Sequence, residues 1–253
     1  MIPKIIHYRW FGGNEMPKDQ KKYIDGWKKL LPDYKFKCWN ENDFNIDGCQ
    51  FTKDARNAGK WAFVADYVRL YALFTIGGVY MDTDVKLFKS FNSYLNCSFF
   101  SSFENHLNGE SQFIDQDGNR LDCSKIKIPE MGIMSAVIGA EKGSVFIKDV
   151  LDFYNSHSFD YIFSNRLTIP TTLSYCAEKY GFKYIDKYQI LDAGIVIYPT
   201  TVFSNYDQQN KESVTVHFCA GSWSDKSLYK KIRGRLYRIK WLRNIVKSIK
   251  YKA

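Results

Sequence analysis

Hydrophobic and polar positions follow two different periods along the chain. Short apolar runs or two-residue alternation predict strands in KIIHYRW, YKFKCW, VYMDTDVKLF, MGIMSAVIGA and SVTVHF. Apolar residues at three- and four-residue steps predict helices in MPKDQKKYIDGWKKLLPDY, KWAFVADYVRLYALFTI, SVFIKDVLDFYN and IPTTLSYCAEKYG. Strands that alternate with helices predict a layered α/β domain. The polar stretch 104–127 interrupts this pattern and is predicted as a long loop or insertion.

Length and charge divide the chain into two parts. Its 253 residues suit one large domain, which we place at residues 1–225. The net charge is +9, yet residues 226–253 hold eleven Lys and Arg and no acid, which leaves the other 225 residues at −2. The strongly basic character therefore belongs to the C-terminal segment and not to the predicted domain.

The basic tail, residues 226–253, also carries a periodic apolar stripe. Its members recur at three- and four-residue steps and are Leu228, Ile232, Leu236, Ile239, Leu242, Val246 and Ile249. Such a stripe bordered by cations predicts an amphipathic helix that docks on an anionic membrane surface. Packing of the stripe on the protein's own body is the alternative. Nucleic-acid binding is disfavoured because the body is nearly neutral.

Targeting signals and cysteine spacing indicate the cellular compartment of the protein. The N-terminus MIPKIIHYRWFGG lacks the pattern of a signal peptide, and no stretch reaches the roughly 18 apolar residues of a membrane span. The six cysteines are scattered without a Cys-x-x-Cys pair or zinc spacing. These features predict reduced thiols in a cytoplasmic protein, peripheral on the inner face of the membrane if the tail docks there.

The stretch GGVYMDTDV places Asp82 and Asp84 one residue apart at the end of an apolar run. In an extended strand, residues two apart point to the same face, so both carboxylates would project together. Adjacent carboxylates suit Mg²⁺ or Mn²⁺, ions that keep open positions for water and phosphate. A pair of solvated acids at a turn is the alternative. The paired aspartates are the first candidate site.

Two further groups of polar residues accompany the aspartates. Asp66 and Arg69 are three apart on the helix before them, where they form either an intrahelical ion pair or contacts to sugar and phosphate oxygens. His217 precedes a Gly-Ser-Trp turn; it is either a packed or surface histidine or an Mn²⁺ ligand. A tryptophan on that turn could close over a substrate.

Three blocks of the sequence together resemble a known family. IPKIIHYRWFGG, FVADYVRLYALFTIGGVYMDTDV and HFCAGSW are similar, in order and spacing, to glycosyltransferases with a DXD sugar-binding region. That group includes the Och1-like mannosyltransferases, bacterial capsular-polysaccharide glycosyltransferases and, more remotely, the glucosylating clostridial toxins. The resemblance covers most of residues 1–225. It implies the GT-A fold, with a Rossmann-like nucleotide-binding half and a mixed central sheet, and sugar transfer with retention of configuration.

The resemblance also implies roles for individual residues. Trp10 would stack on the nucleotide base, Asp66 and Arg69 would hold sugar hydroxyls, and Tyr80 would line the donor pocket. The implied donor-binding set is Trp10, Asp66, Arg69, Gly78, Tyr80, Ser222 and Trp223, and the implied catalytic set is Asp66, Arg69, Asp82 and Asp84. The implied metal ligands are Asp82, Asp84 and His217, for Mn²⁺ or Mg²⁺. Glu130 is a candidate on the acceptor side.

The sequence departs from the family pattern at two positions, and two other functions are alternatives to sugar transfer. Ala65 stands where the family often has serine, and Phe218 where it often has a second histidine. A haloacid-dehalogenase-type phosphatase also uses an apolar strand ending in Asp-x-Asp, and a catalytically silent sugar-nucleotide binder would share the fold. The implied partners are a UDP- or GDP-sugar donor and a glycan or lipid-linked acceptor.

Overall fold

The fold is given by a computed structural model that describes residues 1–11, 13, 15–105, 111–128 and 131–219. The strands are β1 Ile5–Arg9, β2 Lys35–Trp39, β3 Gly78–Met81, β4 Val85–Leu87, β5 Phe99–Asn105, β6 Met131–Ile133, β7 Val137–Ala140, β8 Gln189–Ile190, β9 Ile195–Tyr198, β10 Phe203–Asn205 and β11 Thr215–His217. The α-helices are α1 Lys18–Leu30, α2 Gln50–Asn57, α3 Trp61–Ile76, α4 Val145–Ser156, α5 Phe159–Ser164 and α6 Ile169–Ala177.

A mixed sheet forms the centre of the molecule. Seven strands follow the order β2-β1-β3-β7-β5-β9-β8, and β6 pairs with β5 beside them. β1 is parallel to β2 and β3, and β7 is antiparallel to both β3 and β5. Consequently β1, β3 and β5 run in the same direction, and their carboxyl ends lie at one edge of the sheet. Open α/β sheets bind their ligands at that edge.

A second, three-stranded sheet has the order β10-β11-β4. β11 is antiparallel to β4, and the pairing sets His217 opposite Val85. Since Val85 directly follows Asp84, this small sheet brings the C-terminal histidine to the paired aspartates.

Helix α3 leads directly into β3 through two glycines. The helix is apolar on most sides and ends at Gly77, whose φ is +75°. A Cβ at Gly77 would lie 2.6 Å from the amide nitrogen of Lys142, and one at Gly78 would lie 2.6 Å from the carbonyl oxygen of Ile5. The backbone therefore requires glycine at both positions, and this close approach lets β3 enter the sheet beside β1.

Two clusters of buried side chains form the core. One combines α2 to α6 with residues of β3, β5, β7 and β9, and the other combines α1 with residues of β1, β3, β4 and β5. The fully buried Trp27 of α1 anchors the second cluster, because its indole nitrogen donates to the carbonyl of Val85 at 2.9 Å. The core thus fixes the chain on both sides of the Asp82–Asp84 segment.

The predicted α/β class is confirmed, and so are the four predicted helices and the strands at β1, β2 and β11. Two predicted strands are wrong in their extent. VYMDTDVKLF divides into β3 and β4, which belong to different sheets, and the intervening residues 82–84 form a turn. MGIMSAVIGA divides likewise into β6 and β7. In both cases a segment predicted as one strand contains two short strands, because periodicity does not show where a strand ends and the next begins.

Other parts of the chain differ from the prediction or lie outside the described residues. The segment 104–127 holds the end of β5, a short 3₁₀ turn and an isolated β-bridge between Ile114 and Arg120. Glu130, Ser222, Trp223 and the basic tail 226–253 lie outside the described residues. Within the described part, no helix has the length and apolar character needed to cross a bilayer.

Candidate active site

Asp82 and Asp84 lie on a turn at the carboxyl edge of the main sheet. The amide of Asp82 donates to the carbonyl of Ala136 at 2.9 Å, and the amide of Val85 donates to the carbonyl of Asp82 at 3.0 Å. Between them, the buried hydroxyl of Thr83 donates to Gln20 of α1 at 3.0 Å. The prediction that both aspartates extend from one strand is therefore wrong. A turn held down by Thr83 presents the two carboxylates instead.

His217 approaches Asp84 from the small sheet. Its Nε2 lies 3.3 Å from Oδ1 of Asp84, and the amide of Phe218 donates to the carbonyl of Asp84 at 3.2 Å. Burial alone lowers the pKa of His217, but the neighbouring Cys219 and Asp84 outweigh burial and hold that pKa well above its ordinary value. Without a bound cation, the imidazolium and the Asp84 carboxylate thus stabilise each other.

Asp82 sits in a different electrostatic environment. Its Oδ1 accepts a hydrogen bond from the hydroxyl of Tyr80 at 2.7 Å. The guanidinium groups of Arg69 and Arg9 lie 3.6 Å and 3.8 Å from the same oxygen. Arg9 also donates through Nε to the Tyr80 hydroxyl at 2.9 Å. Two arginines therefore already compensate the charge of Asp82, whereas Asp84 faces a histidine.

Asp66 and Arg69 complete this polar cluster from helix α3. Arg69 donates to Asp66 at 2.9 Å and to the carbonyl of Ser135 at 2.6 Å, and its guanidinium lies 4.6 Å from the centre of the Tyr80 ring. Burial raises the pKa of Asp66 above its ordinary value, although Arg69 and Arg9 partly oppose this. Burial lowers the pKa of Arg69, but Tyr80, Asp82 and Asp66 outweigh it and raise that pKa, so the arginine stays charged.

The structure brings most of the predicted site residues together. Those that lie in one cluster, linked through Asp82, are Asp66, Arg69, Tyr80, Asp82, Asp84 and His217. Trp10 directly follows β1, is half-buried, and donates its amide to the carbonyl of Trp39 at 2.9 Å. Gly78 lies at the opposite end of β3 from Asp82. It packs against β1, where the close approach of the two backbones leaves no room for a side chain. The predicted Ser222, Trp223 and Glu130 lie outside the described residues.

Sequence reasoning missed Arg9, Gln20 and Cys219. Arg9 follows the buried residues of β1 and is only 17% exposed, so a charged residue ending an apolar strand was the available signal. Cys219 lies with its Sγ 3.4 Å from Nδ1 of His217. The contact between Gln20 and Thr83 joins residues that are 63 positions apart, and no local sequence pattern predicts it.

The arrangement fits a divalent cation. One ligand atom from each of Asp82, Asp84 and His217 lies within 4.8 Å of the other two. Ligand atoms about 2.1 Å from an octahedral ion are about 3 Å from their nearest neighbours, and the 3.3 Å between His217 and Asp84 is close to that spacing. Two carboxylates suit Mg²⁺ or Mn²⁺, and the imidazole favours Mn²⁺ over Mg²⁺.

Comparison with known families agrees with this geometry. Residues 17–108 match the family model described as a glycosyltransferase sugar-binding region containing a DXD motif. An uncharacterised glycosyltransferase of Acanthamoeba polyphaga mimivirus is 29% identical over 125 residues, which is 43% of this chain and 49% of that protein. The chain thus spans about half the length of this relative. The predicted resemblance to the DXD glycosyltransferases is confirmed over residues 17–108, which match the model of their sugar-binding region.

Solved structures extend the comparison to the fold. The PaToxG glycosyltransferase superimposes with a TM-score of 0.50 and 16% identity, covering 70% of this chain and 69% of that one. A glycosyltransferase involved in glycosylation of the major capsid of PBCV-1 gives a TM-score of 0.46 at 12% identity, over 94% of this chain and all of that one. The first of these, together with the mixed central sheet, confirms the predicted GT-A fold class. Residues 17–108 thus match a glycosyltransferase sugar-binding region, and the fold of the chain is of the GT-A class.

Proposed function

We propose that the protein is a metal-dependent, retaining glycosyltransferase. It would move a sugar from a nucleotide-sugar donor to a glycan or lipid-linked glycan acceptor in polysaccharide biosynthesis. The observation that carries the proposal is the convergence of Asp82, Asp84 and His217 at the carboxyl edge of the sheet. The first two of these residues fall inside the region that matches the DXD family model.

Asp84 and His217 are the residues we assign to hold the metal, with Asp82 beside them. A bound Mn²⁺ or Mg²⁺ would supply charge neutralisation at the leaving diphosphate of the donor. Asp82 already shares its charge with Tyr80, Arg69 and Arg9. We therefore assign it to the donor's ribose or to a water of the metal, and Asp84 to direct ligation.

The donor sugar would be held from helix α3. The side chain of Arg69 is 3% exposed and that of Asp66 is 14% exposed. Asp66 is consequently the residue open to a sugar hydroxyl, while Arg69 fixes Asp66 and Asp82 in place through its contacts to both. We assign Trp10, which is half-buried directly after β1, to stack on the nucleotide base. Retention would follow from attack on the same face from which the diphosphate departs.

The location and acceptor complete the proposal. We infer a cytoplasmic enzyme on the inner face of the cell membrane, attached through the basic segment 226–253, because its sequence combines an apolar stripe with eleven cations. A peripheral enzyme at that surface would meet lipid-linked acceptors directly. Nucleic acid is not proposed as a partner, since the rest of the chain carries a net charge of −2.

A thermal-shift panel of UDP- and GDP-sugars, with and without Mn²⁺, tests the proposal. A bound donor stabilises the folded state by mass action, so we expect one donor to raise the melting temperature only when Mn²⁺ is present. The matched variants are Asp84→Asn, which should lose the Mn²⁺-dependent shift, and Asp25→Asn on the exposed face of α1, which should keep it.

Turnover separates the rival functions. The proposed transferase hydrolyses or transfers from the stabilising donor. A haloacid-dehalogenase-type phosphatase would instead release phosphate from a phosphate monoester, and a silent binder would show the thermal shift with no product. Stabilisation by no nucleotide sugar, together with phosphate release from a monoester, would replace the proposal with the phosphatase.

A further inference from the structure

A cavity of about 200 Å³ opens between the end of β5, strand β6 and the start of α6. We call it the β6–α6 cavity. Its lining residues are Glu104, Lys127, Ile128, Met131, Gly132, Thr168, Pro170 and Thr171. Its volume lies below the ~300–1,000 Å³ of pockets for drug-sized ligands, so it suits a single small ring.

The lining combines hydrogen-bonding groups with an apolar surface. Glu104 offers a carboxylate and Lys127 an ammonium, and the hydroxyls of Thr168 and Thr171 lie 3.4 Å apart. The apolar part comes from Ile128, Met131 and Pro170. A pyranose ring needs both kinds of surface, because its edge carries hydroxyls and its faces carry C–H groups. A phosphate or a flat aromatic ring would use only one of them.

The wall of the cavity is closely packed. A Cβ on Gly132 would lie 2.8 Å from Oγ of Ser174 and 3.0 Å from the carbonyl oxygen of Pro170, so β6 rests directly on α6. The Ser174 hydroxyl accepts from the amide of Ile133 at 2.7 Å and donates to the carbonyl of Pro170 at 2.7 Å. The site is thus preformed, and a ligand would bind without the cost of ordering this wall.

The cavity adjoins the active site at the same edge of the sheet. Asp82 directly follows the last residue of β3, and β5, which carries Glu104, lies two strands away on the far side of β7. Neighbouring strands are about 4.8 Å apart, so the two strand ends are separated by roughly 10 Å. Glu104 also accepts from the side-chain amide of Asn205 at 3.0 Å, and Asn205 pairs with His217 across the small sheet.

The cavity and the nucleotide side lie on opposite flanks of Asp82. Trp10 follows β1, the neighbour of β3 on one side, whereas the cavity follows β5 on the other side. A donor extending from Trp10 to the metal ligands would therefore point its sugar toward the cavity.

We propose that the β6–α6 cavity binds one hexopyranose unit of the acceptor glycan. The inference rests on the proposed transferase function and names the substrate class that the same site would accept. Glu104, Thr168 and Thr171 contact hydroxyls of that unit, and Met131 and Pro170 contact its C–H face. The unit held here sets the acceptor beside the donor sugar.

The test uses methyl hexopyranosides as probes, with saturation-transfer NMR on the full chain. We expect wild-type protein to bind at least one of the methyl glucoside, galactoside and mannoside. The double variant Thr168→Val/Thr171→Val should weaken that binding roughly five- to tenfold or more, since it removes two hydroxyl partners at nearly constant volume. The Thr168 side chain makes no capping bond to α6, so the helix should persist.

Controls separate this inference from the proposed function. Thr75→Val, on helix α3 where the hydroxyl donates to the Tyr71 carbonyl of the same helix, should bind the probes like wild type. Binding of UDP or GDP with Mn²⁺ should be unchanged in the double variant. Probe binding that is absent in wild type, or equal in the double variant, overturns the cavity assignment. The two proposals can also fail separately. If the double variant loses probe binding but the wild type turns over no donor, the cavity is a sugar site and the protein is not a transferase.

Discussion

The hydroxyl of Tyr80 donates a 2.7 Å hydrogen bond to Asp82, and Arg9 donates to the same hydroxyl at 2.9 Å. Asp82 is thereby tied to strands β1 and β3 of the main sheet. Asp84, two residues later, is tied instead to His217 of the small sheet. The two acids of the Asp-x-Asp motif consequently have different partners, and we expect their substitutions to have different effects.

Asp84→Asn should abolish metal-dependent donor cleavage while the fold is kept. An amide cannot supply a carboxylate's charge, and the loss of preorganised charge stabilisation costs on the order of 10²-fold or more in turnover. The measurement is steady-state turnover of the donor over a range of Mn²⁺ concentrations, with a chelator added to the wild type. Near-normal turnover in the variant, or full activity of the wild type in the presence of the chelator, would contradict the metal dependence. Asp25→Asn serves as the matched control.

Arg9→Met should raise the donor KM about tenfold with a smaller change in kcat. Arg9 is a positioning residue: it holds the Tyr80 hydroxyl and lies 3.8 Å from Asp82, and hydrogen bonds to charged groups contribute ~1.5–3 kcal/mol. Arg9→Lys should recover only part of the loss, because an ammonium keeps the charge but not the directed Nε–H donor. A fall in kcat as large as the rise in KM, or full recovery of activity in Arg9→Lys, would contradict this role.

Trp10→Ala should weaken nucleotide-sugar binding by ~1–3 kcal/mol, the range for stacking of a base on an aromatic ring. Isothermal titration with the donor identified by thermal shift measures this effect. Trp27→Ala is the contrasting variant, because Trp27 is fully buried and should lower stability by ~3–5 kcal/mol. If Trp10→Ala melts as early as Trp27→Ala and binds nucleotide normally once folded, the ring is structural.

The fold was predictable where the local pattern and the global fold agree. Helix α3 and strand β3 follow from an apolar helical run, two glycines and an apolar strand, and the structure shows why glycine is needed at 77 and 78. The pattern failed where one apolar run crosses between two sheets. Only long-range pairing, Val85 with His217 and Asp82 with Ala136, divides VYMDTDVKLF into β3, a turn and β4.

The site was predictable where chemistry lies close together in sequence. Spacing singles out Asp66 with Arg69 and Asp82 with Asp84, and the family resemblance adds His217, which precedes the Gly-Ser-Trp sequence. Arg9 was not predictable, because its contacts to Tyr80 and Asp82 depend on the parallel pairing of β1 with β3. The β6–α6 cavity likewise depends on the seating of Gly132 against α6, which joins residues about forty positions apart.

His7 should make the fold less stable in mild acid. It is fully buried; its Nδ1 accepts from the indole of Trp39 at 3.1 Å, so its Nε2 carries the proton and donates to the carbonyl of Gly77 at 2.8 Å. Burial lowers its pKa below the ordinary 6.5, with Lys37 adding to the effect and the Gly77 contact opposing it. Its stabilising contribution is therefore complete above about pH 6.5 and is lost as the pH falls from there toward the lowered pKa.

Thermal melts of wild type and His7→Gln at about pH 7.5 and about pH 5 measure this contribution. Glutamine keeps a donor for Gly77 but does not titrate, so the variant should be less stable than wild type at the higher pH and closer to it at the lower pH. An equal stability difference at both pH values would show that His7 does not titrate in this range.

Removal of the basic tail should separate membrane attachment from catalysis. A chain that ends at Asp225 loses eleven cations and the apolar stripe of residues 226–253, and each cation near an anionic surface contributes about 1 kcal/mol. We expect it to keep the melting temperature and donor turnover of the full chain, yet to stop sedimenting with phosphatidylserine-containing vesicles at low salt. Vesicles of neutral lipid and a high-salt wash are the controls, since the attraction is screened. Failure of the full chain to sediment at low salt, or a shortened chain that unfolds, would assign the tail to packing on the protein itself.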